Sequence, residues 1–389
     1  MKNRLKIALF IDTYFPMIDG VVMVVDNYAK RLQEYADVTV FCPFVSKEFT
    51  DNFNYKVVRC KSFKPFFLDY VAPIPQLDRK FKKFLKTSHF DIVHIHSPFG
   101  ISSLGVKYAR KNNIPVVATL HSQYKQDIQV FAKFNLLTNA VLAFLMKTFN
   151  KCDECWAVNE GMRQLYLSEY GLKVKSKTKP NASDFRPIKA KDETKREIRD
   201  RFGLNDNEKL LLFVGRINFI KNILFIVNAL YHLKDQGFAF KMLFVGSGSD
   251  TENLKKQIYE LGLDNEIILA GEISSRSELE KIYAASDLFL FPSLYDANSL
   301  VQIEAASQEV PTLFIRGAKT ASSCIENQNA FMSENDPFLY SKKIIEIFKN
   351  EELYTAVSKN TQKELYSNWD DSIKELLCDY ERIIENYHK

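Results

Sequence analysis

Two consecutive doubly wound α/β domains are what this sequence predicts, on three observations. Short continuous apolar runs recur along the chain, segments of helical period separate them, and a charged, proline-bearing stretch divides the series in two. The length of 389 residues also suits two or three domains at roughly 100–200 residues each.

In the first half the apolar runs are Ile7 to Ile11, Val38 to Phe41, Val57 to Val58, Ile92 to Ile95, Val116 to Leu120 and Cys155 to Val158. In the second they are Leu210 to Val214, Met242 to Val245, Ile267 to Leu269, Leu288 to Phe291 and Thr312 to Ile315. Runs that are continuous instead of alternating mark strands buried on both faces of a parallel sheet. The helical segments are Asp26 to Tyr35, Ile101 to Asn112, Ile223 to Gln236, Glu252 to Leu261, Ser277 to Ala285 and Leu300 to Gln308. Their alternation with the strands fits βαβ units. Residues 172–201 are charged, hold two prolines and lack the character of buried strands, so the connection is expected near Pro180 to Pro187. The expected units are 1–184, 185–366 and a closing segment, 367–389. In that segment Ile373, Leu376, Leu377, Tyr380, Ile383 and Ile384 predict a helix that returns to the first domain.

Composition narrows the class. With 46% apolar and 26% charged residues, 13 Gly and 12 Pro, the chain is globular and neither collagen-like nor low in complexity. Six irregularly spaced cysteines do not make a disulfide framework and suit a reducing, cytosolic compartment. The opening M-K-N-R-L-K-I-A-L-F-I-D-T meets Asp12 after a short apolar run and has no small-residue cleavage site, so it reads as a strand. Leu136 to Phe149 is interrupted by Thr138, Asn139 and Lys147, short of the about 20 apolar residues of a membrane span. The net charge of +5 conceals a division. Residues 1–180 carry 27 Lys and Arg against 15 Asp and Glu, whereas residues 181–389 carry 26 against 33. A basic half suggests an anionic partner.

Ligands of open α/β sheets bind at the carboxyl ends of the strands. There, F-V-G-R-I-N-F-I-K-N places Gly215, Arg216 and Lys221 before a helix, cations suited to a diphosphate. Gly246 and Gly248 in V-G-S-G-S make a second tight turn, weak evidence alone. In S-L-Y-D-A-N-S-L-V-Q-I-E-A-A-S, Asp296 precedes a helix that carries Glu304. Such carboxylates accept sugar hydroxyls, and the amides of Asn298, Ser299 and Leu300 could bind hydroxyls or phosphate. The plainer readings are a helix N-terminal acid for Asp296 and a buried ion pair for Glu304.

These segments, with G-E-I at Gly271, Y-F-P-M-I-D-G-V, D-I-V-H-I-H-S-P-F, A-T-L-H-S, K-P-N-A-S-D-F-R-P and S-N-W-D, together resemble glycosyltransferase family 4 nearly end to end. The resemblance implies the GT-B architecture, two Rossmann-like domains facing a central cleft, and retaining transfer from a nucleotide sugar. It implies that Arg216 and Lys221 hold the donor diphosphate and that Glu304 binds the ribose. Asp296 stands where the family has a first Glu, on the donor sugar. Gly20 is implied at the diphosphate, His121 at an outer sugar hydroxyl, and the main chain at Ile273 on the base. Asp19 replaces a glycine, and Asn298 and Ser299 replace an aromatic–Gly pair, departures that bear on the sugar. The sequence holds no Asp-x-Asp triplet, and Arg216 and Lys221 could neutralise the leaving diphosphate, so no metal or other cofactor is expected.

His94 and His96 share a strand face without a third ligand, and Cys152 and Cys155 form a lone C-x-x-C. Structural roles are expected for both pairs. Residues 61–86 hold seven basic residues, two acidic ones and six aromatics. Lys64, Phe66, Phe67, Arg79, Lys80, Lys82 and Lys83 are candidates for acceptor or membrane contact, with Phe81, Phe84 and Leu85 as the apolar side of an interfacial helix. The stretch also resembles the acceptor-side segment of family members that glycosylate membrane lipids. The expectation is a cytoplasmic enzyme, peripheral at the inner membrane face. It moves a hexose, with UDP-glucose the leading donor, to a lipid or lipid-linked glycan, diacylglycerol first among them. No nucleic-acid module is present. A transferase of capsule or other polysaccharide, an epimerase or phosphorylase of similar architecture, and a non-catalytic nucleotide-sugar sensor are the alternatives.

Overall fold

The structure, a computed structural model, describes residues 4–65, 71–131 and 135–387. It divides into two units: residues 1–181 with 369–389, and residues 182–368. The first unit contains β1 (Lys6–Phe10), β2 (Asp37–Pro43), β3 (Lys56–Cys60), β4 (Ser62–Phe63), β5 (Ala72–Pro73), β6 (Ile92–Ile95), β7 (Val116–Leu120), β8 (Glu154–Ala157) and β9 (Lys175–Thr178). Seven of these form a parallel sheet in the order β3-β2-β1-β6-β7-β8-β9, while β4 and β5 pair as a short antiparallel ribbon. The second unit contains β10 (Lys209–Val214), β11 (Phe240–Val245), β12 (Ile267–Gly271), β13 (Leu288–Phe291), β14 (Thr312–Ile315) and β15 (Phe331–Ser333), in the order β12-β11-β10-β13-β14-β15. Both sheets reverse direction beside their first strand, the Rossmann-like plan.

All eleven expected strands form. Among the described residues four strands went unread: β9 is K-S-K-T and only half-buried, β15 spans three residues, and β4 and β5 span two each. The helix Gly20–Tyr35 begins six residues before the expected Asp26. Its run V-V-M-V-V is largely β-branched, which weakens the helical signal there, yet Asp19 Oδ1 accepts the Val22 N–H at 2.8 Å and starts the helix.

Each face of the first sheet has its own cover. Phe10 and Phe41 are register partners and stack at 4.5 Å. The helix Arg79–Thr87 sets Phe81 edge-on against Phe41, and the helix Gly100–Lys111 lays Gly105 on Phe10. The opposite face receives Gly20–Tyr35 and the closing helix Trp369–Tyr387, whose Trp369 meets Tyr28 edge-on at 5.6 Å. The closing helix is also tied by Arg31–Asp370 (3.1 Å), Lys179–Asp379 (2.8 Å) and Arg382–Glu154 (3.0 Å). In the second unit, the side-chain amide of Gln308 donates to the Arg186 carbonyl and accepts from the Ile188 N–H. The start of that unit is thereby fastened to its own sheet domain.

Candidate functional site

In the second unit the loops after β10 and β11 are joined backbone to backbone. The N–H of Gly215 donates to Val245 O at 2.9 Å and that of Ile217 to Ser247 O at 3.0 Å. A Cβ on Gly246 would stand 2.0 Å from Gly215 O, and one on Gly248 2.2 Å from Ile217 O. Gly246, at φ +136°, and Gly248 are therefore required by the approach of two main chains. Arg216, next to Gly215 in the chain, is exposed, and the short turn Phe219–Lys221 follows, with Asn218 as its side-chain cap.

That turn delivers the Lys221 ammonium to Asp296 Oδ1, an ion pair between half-buried groups 75 residues apart. Asp296 is thus not the N-terminal acid of the helix Leu300–Ser307, whose N-cap is Ser299 without a side-chain capping bond. Asn298, Ser299 and Leu300 are half-buried in the approach to that helix. Glu304, one turn further, is 5% exposed, and both its oxygens are engaged. Oε1 meets Arg276 Nη2 at 2.8 Å, and Oε2 accepts from the Tyr283 hydroxyl at 3.1 Å. Burial raises the Glu304 pKa above the ordinary carboxylate value, and Arg276 opposes the rise. Ile273, half-buried against the core, lies on the loop that leads to Arg276.

In the first unit Gly20 opens its helix, and a Cβ there would meet no protein atom within 4 Å. His121 follows β7 and is buried, its Nε2 3.1 Å from Nδ1 of His96. His94 Nδ1 lies 2.6 Å from the Tyr380 hydroxyl and Nε2 2.7 Å from Thr119 Oγ1. Burial lowers the pKa of all three histidines, that of His121 to about 3, so they are neutral imidazoles near pH 7. Cys152 and Cys155 are free, buried thiols directed at the carbonyls of Thr148 and Phe149.

The sequence profile described as Glycosyltransferase Family 4 matches residues 18–185, and that described as Glycosyl transferases group 1 matches residues 194–364. The chain belongs to glycosyltransferase family 4. The glycosyltransferase is 28% identical over 316 residues to the alpha-monoglucosyldiacylglycerol synthase of Streptococcus pneumoniae, across 79% of this chain and 70% of that one. It is 27% identical over 390 residues to the synthase of the same name from Acholeplasma laidlawii, across 93% and 95%. HepE of Anabaena, solved in complex with UDP, superposes with a TM-score of 0.78 at 16% identity, over 97% of this chain and 100% of that one. The fold is GT-B.

For this glycosyltransferase the sequence reading missed Arg276. Its guanidinium also pairs with Asp184 and lies 4.1 Å from the centre of the Phe185 ring. The available signal was the arginine that closes G-E-I-S-S-R, three residues beyond the part that was used. The expected interfacial helix needs correction as well. Phe81 and Leu85 are buried and Phe84 is half-buried, so their apolar side faces the domain and not a bilayer. Lys56 Nζ covers Phe84 at 4.4 Å. The solvent side of the helix is cationic, with Arg79, Lys80, Lys82 and Lys83 exposed, as is Lys64 nearby in sequence. Phe66 and Phe67 lie outside the described residues. Among the described residues, no helix is long and apolar enough to cross a membrane.

Proposed function

We propose that this glycosyltransferase moves glucose from UDP-glucose to a membrane lipid, diacylglycerol first, with retention at the anomeric carbon and without a metal. The carrying observation is the match to the Acholeplasma laidlawii alpha-monoglucosyldiacylglycerol synthase over nearly the whole length of both chains. The fold shared with UDP-bound HepE supports the base. The second unit takes the donor: Arg216 and Lys221 bind the diphosphate, Glu304 the ribose and Asp296 the sugar. Lys221, already held by Asp296, would share its charge between that carboxylate and the diphosphate. As the C1–O bond to the diphosphate breaks, the acceptor oxygen bonds to C1 from the same face. Its proton passes to the departing phosphate oxygen, and the two cations stabilise the charge. The first unit takes the acceptor, with Gly20 and His121 in the roles implied by the family. Its exposed cations hold the protein at the inner face of an anionic membrane.

The test is transfer from radiolabelled UDP-glucose to diacylglycerol in mixed micelles containing phosphatidylglycerol, with and without EDTA. The expected product is the α-glucoside, in equal yield under both conditions. Lys221→Ala should lower kcat roughly 100-fold. A β-linked product, a requirement for divalent ions, or transfer only to a water-soluble polysaccharide would overturn the corresponding part of the reading.

A further inference from the structure

The helix Asn135–Phe149 is apolar around most of its circumference. Thr138, Leu142, Leu145, Met146 and Phe149 are buried. Among the described residues little covers the remaining side: Leu137 is 53% and Phe144 68% exposed, Ala140 is exposed, and Val141 is half-buried. Positions 137, 140, 141 and 144 form one stripe at helical spacing. Exposed Lys147 continues the stripe and Lys151 follows the helix. The neighbouring helix Gly100–Lys111 exposes Lys107 and Lys111. Among the described residues none of these four lysines has a carboxylate within ion-pair distance. Residues 107–151 contain seven Lys and Arg and a single acid, Asp127.

We propose that this helix is the element that enters an anionic lipid surface. Leu137, Val141 and Phe144 reach the acyl boundary, while Lys107, Lys111, Lys147 and Lys151 meet lipid phosphates. An uncovered apolar stripe bordered by unpaired cations is the pattern of an interfacial helix, and the charge complementarity selects an anionic bilayer as the occupant. The helix Arg79–Thr87 contributes charge alone, since its apolar side is spent on the domain core. This inference rests on the reading of a membrane-lipid acceptor.

Phe144→Trp supplies the probe, because the two native tryptophans, Trp156 and Trp369, are buried. Vesicles of equal phosphatidylglycerol and phosphatidylcholine should shift the emission of the introduced indole to the blue, and brominated acyl chains should quench it. Leu137→Asp combined with Phe144→Asp should weaken vesicle binding roughly tenfold while UDP-glucose still raises the melting temperature. Sedimentation of the tryptophan variant with vesicles, without a shift or quenching, overturns the inserted helix and leaves the lipid-acceptor reading standing. Failure to transfer glucose to detergent-dispersed diacylglycerol, with quenching intact, overturns that reading and not the helix. A wild-type dimer in vesicle-free sedimentation velocity that the double variant dissociates assigns the stripe to a second copy and overturns the proposal.

Discussion

Glu304 carries its charge where burial opposes ionisation and Arg276 only partly restores it. Its folded-state pKa lies above the unfolded value, so the folded protein retains the proton over that interval. The contribution of this group to stability is therefore present at low pH and is lost as pH rises through the folded pKa. In Glu304→Gln that loss disappears. The melting temperature of the wild type minus that of the variant should fall as pH rises from about 4.5 to about 7.5. A difference that grows in favour of the wild type would refute this account. If Glu304 holds the ribose as proposed, the same variant should bind UDP-glucose at least roughly tenfold more weakly, read by thermal shift. Glu304 and Asp296 were legible because a strand end, a loop and a short helix follow one another in sequence. Their pairings were not: Arg276, unread, lies 28 positions before Glu304, and Lys221, read only as a diphosphate cation, lies 75 before Asp296. His94 shows the same limit. Its alternation with His96 was visible, whereas the tyrosine that fixes it lies 286 residues on.

Helices and strands were legible where burial is two-sided and poorly legible where an element is half-covered. The central strands are almost wholly buried and announced themselves as apolar runs, while the polar edge β9 did not. For Arg79–Thr87 the sequence displayed an apolar and a cationic side, and either side could meet a membrane. The Phe41 ring beneath Phe81 decides the matter. Packing on this face is close at one further point, Gly105. A Cβ there would fall 2.8 Å from the ring of Phe10, which is fully buried and held by its stack on Phe41. The ring has no room to yield, so Gly105→Ala should destabilise the protein by about 1–3 kcal/mol through overpacking. Chemical denaturation that shows a gain, as expected of a helical Gly→Ala in open space, would contradict this contact.

Charge takes a different form once the chain is divided as it folds. The basic half owns the closing helix, which carries Asp370, Asp371, Glu375, Asp379, Glu381 and Glu385. On that partition the first unit holds 30 Lys and Arg against 21 Asp and Glu, and the second 23 against 27. The excess is smaller than the linear count implied, and it is sorted by face. Lys177 and Lys179 are consumed by Asp379 on the side covered by the closing helix. The exposed cations of Arg79–Thr87 and Gly100–Lys111 stand on the other side of the same sheet. Two charge reversals should therefore separate. Lys82→Glu with Lys83→Glu should reduce binding to phosphatidylglycerol vesicles by tenfold or more, at about 1 kcal/mol per lysine lost, and should flatten its salt dependence. Lys177→Glu should leave vesicle binding within about twofold, yet lower the melting temperature by several degrees, because it sets a third carboxylate beside Asp379 and Glu154. Equal loss of vesicle binding from both reversals would show that attraction follows the net charge of the unit. Loss confined to the Lys82 and Lys83 variant, measured by co-sedimentation across a salt series, assigns it to the face away from the closing helix.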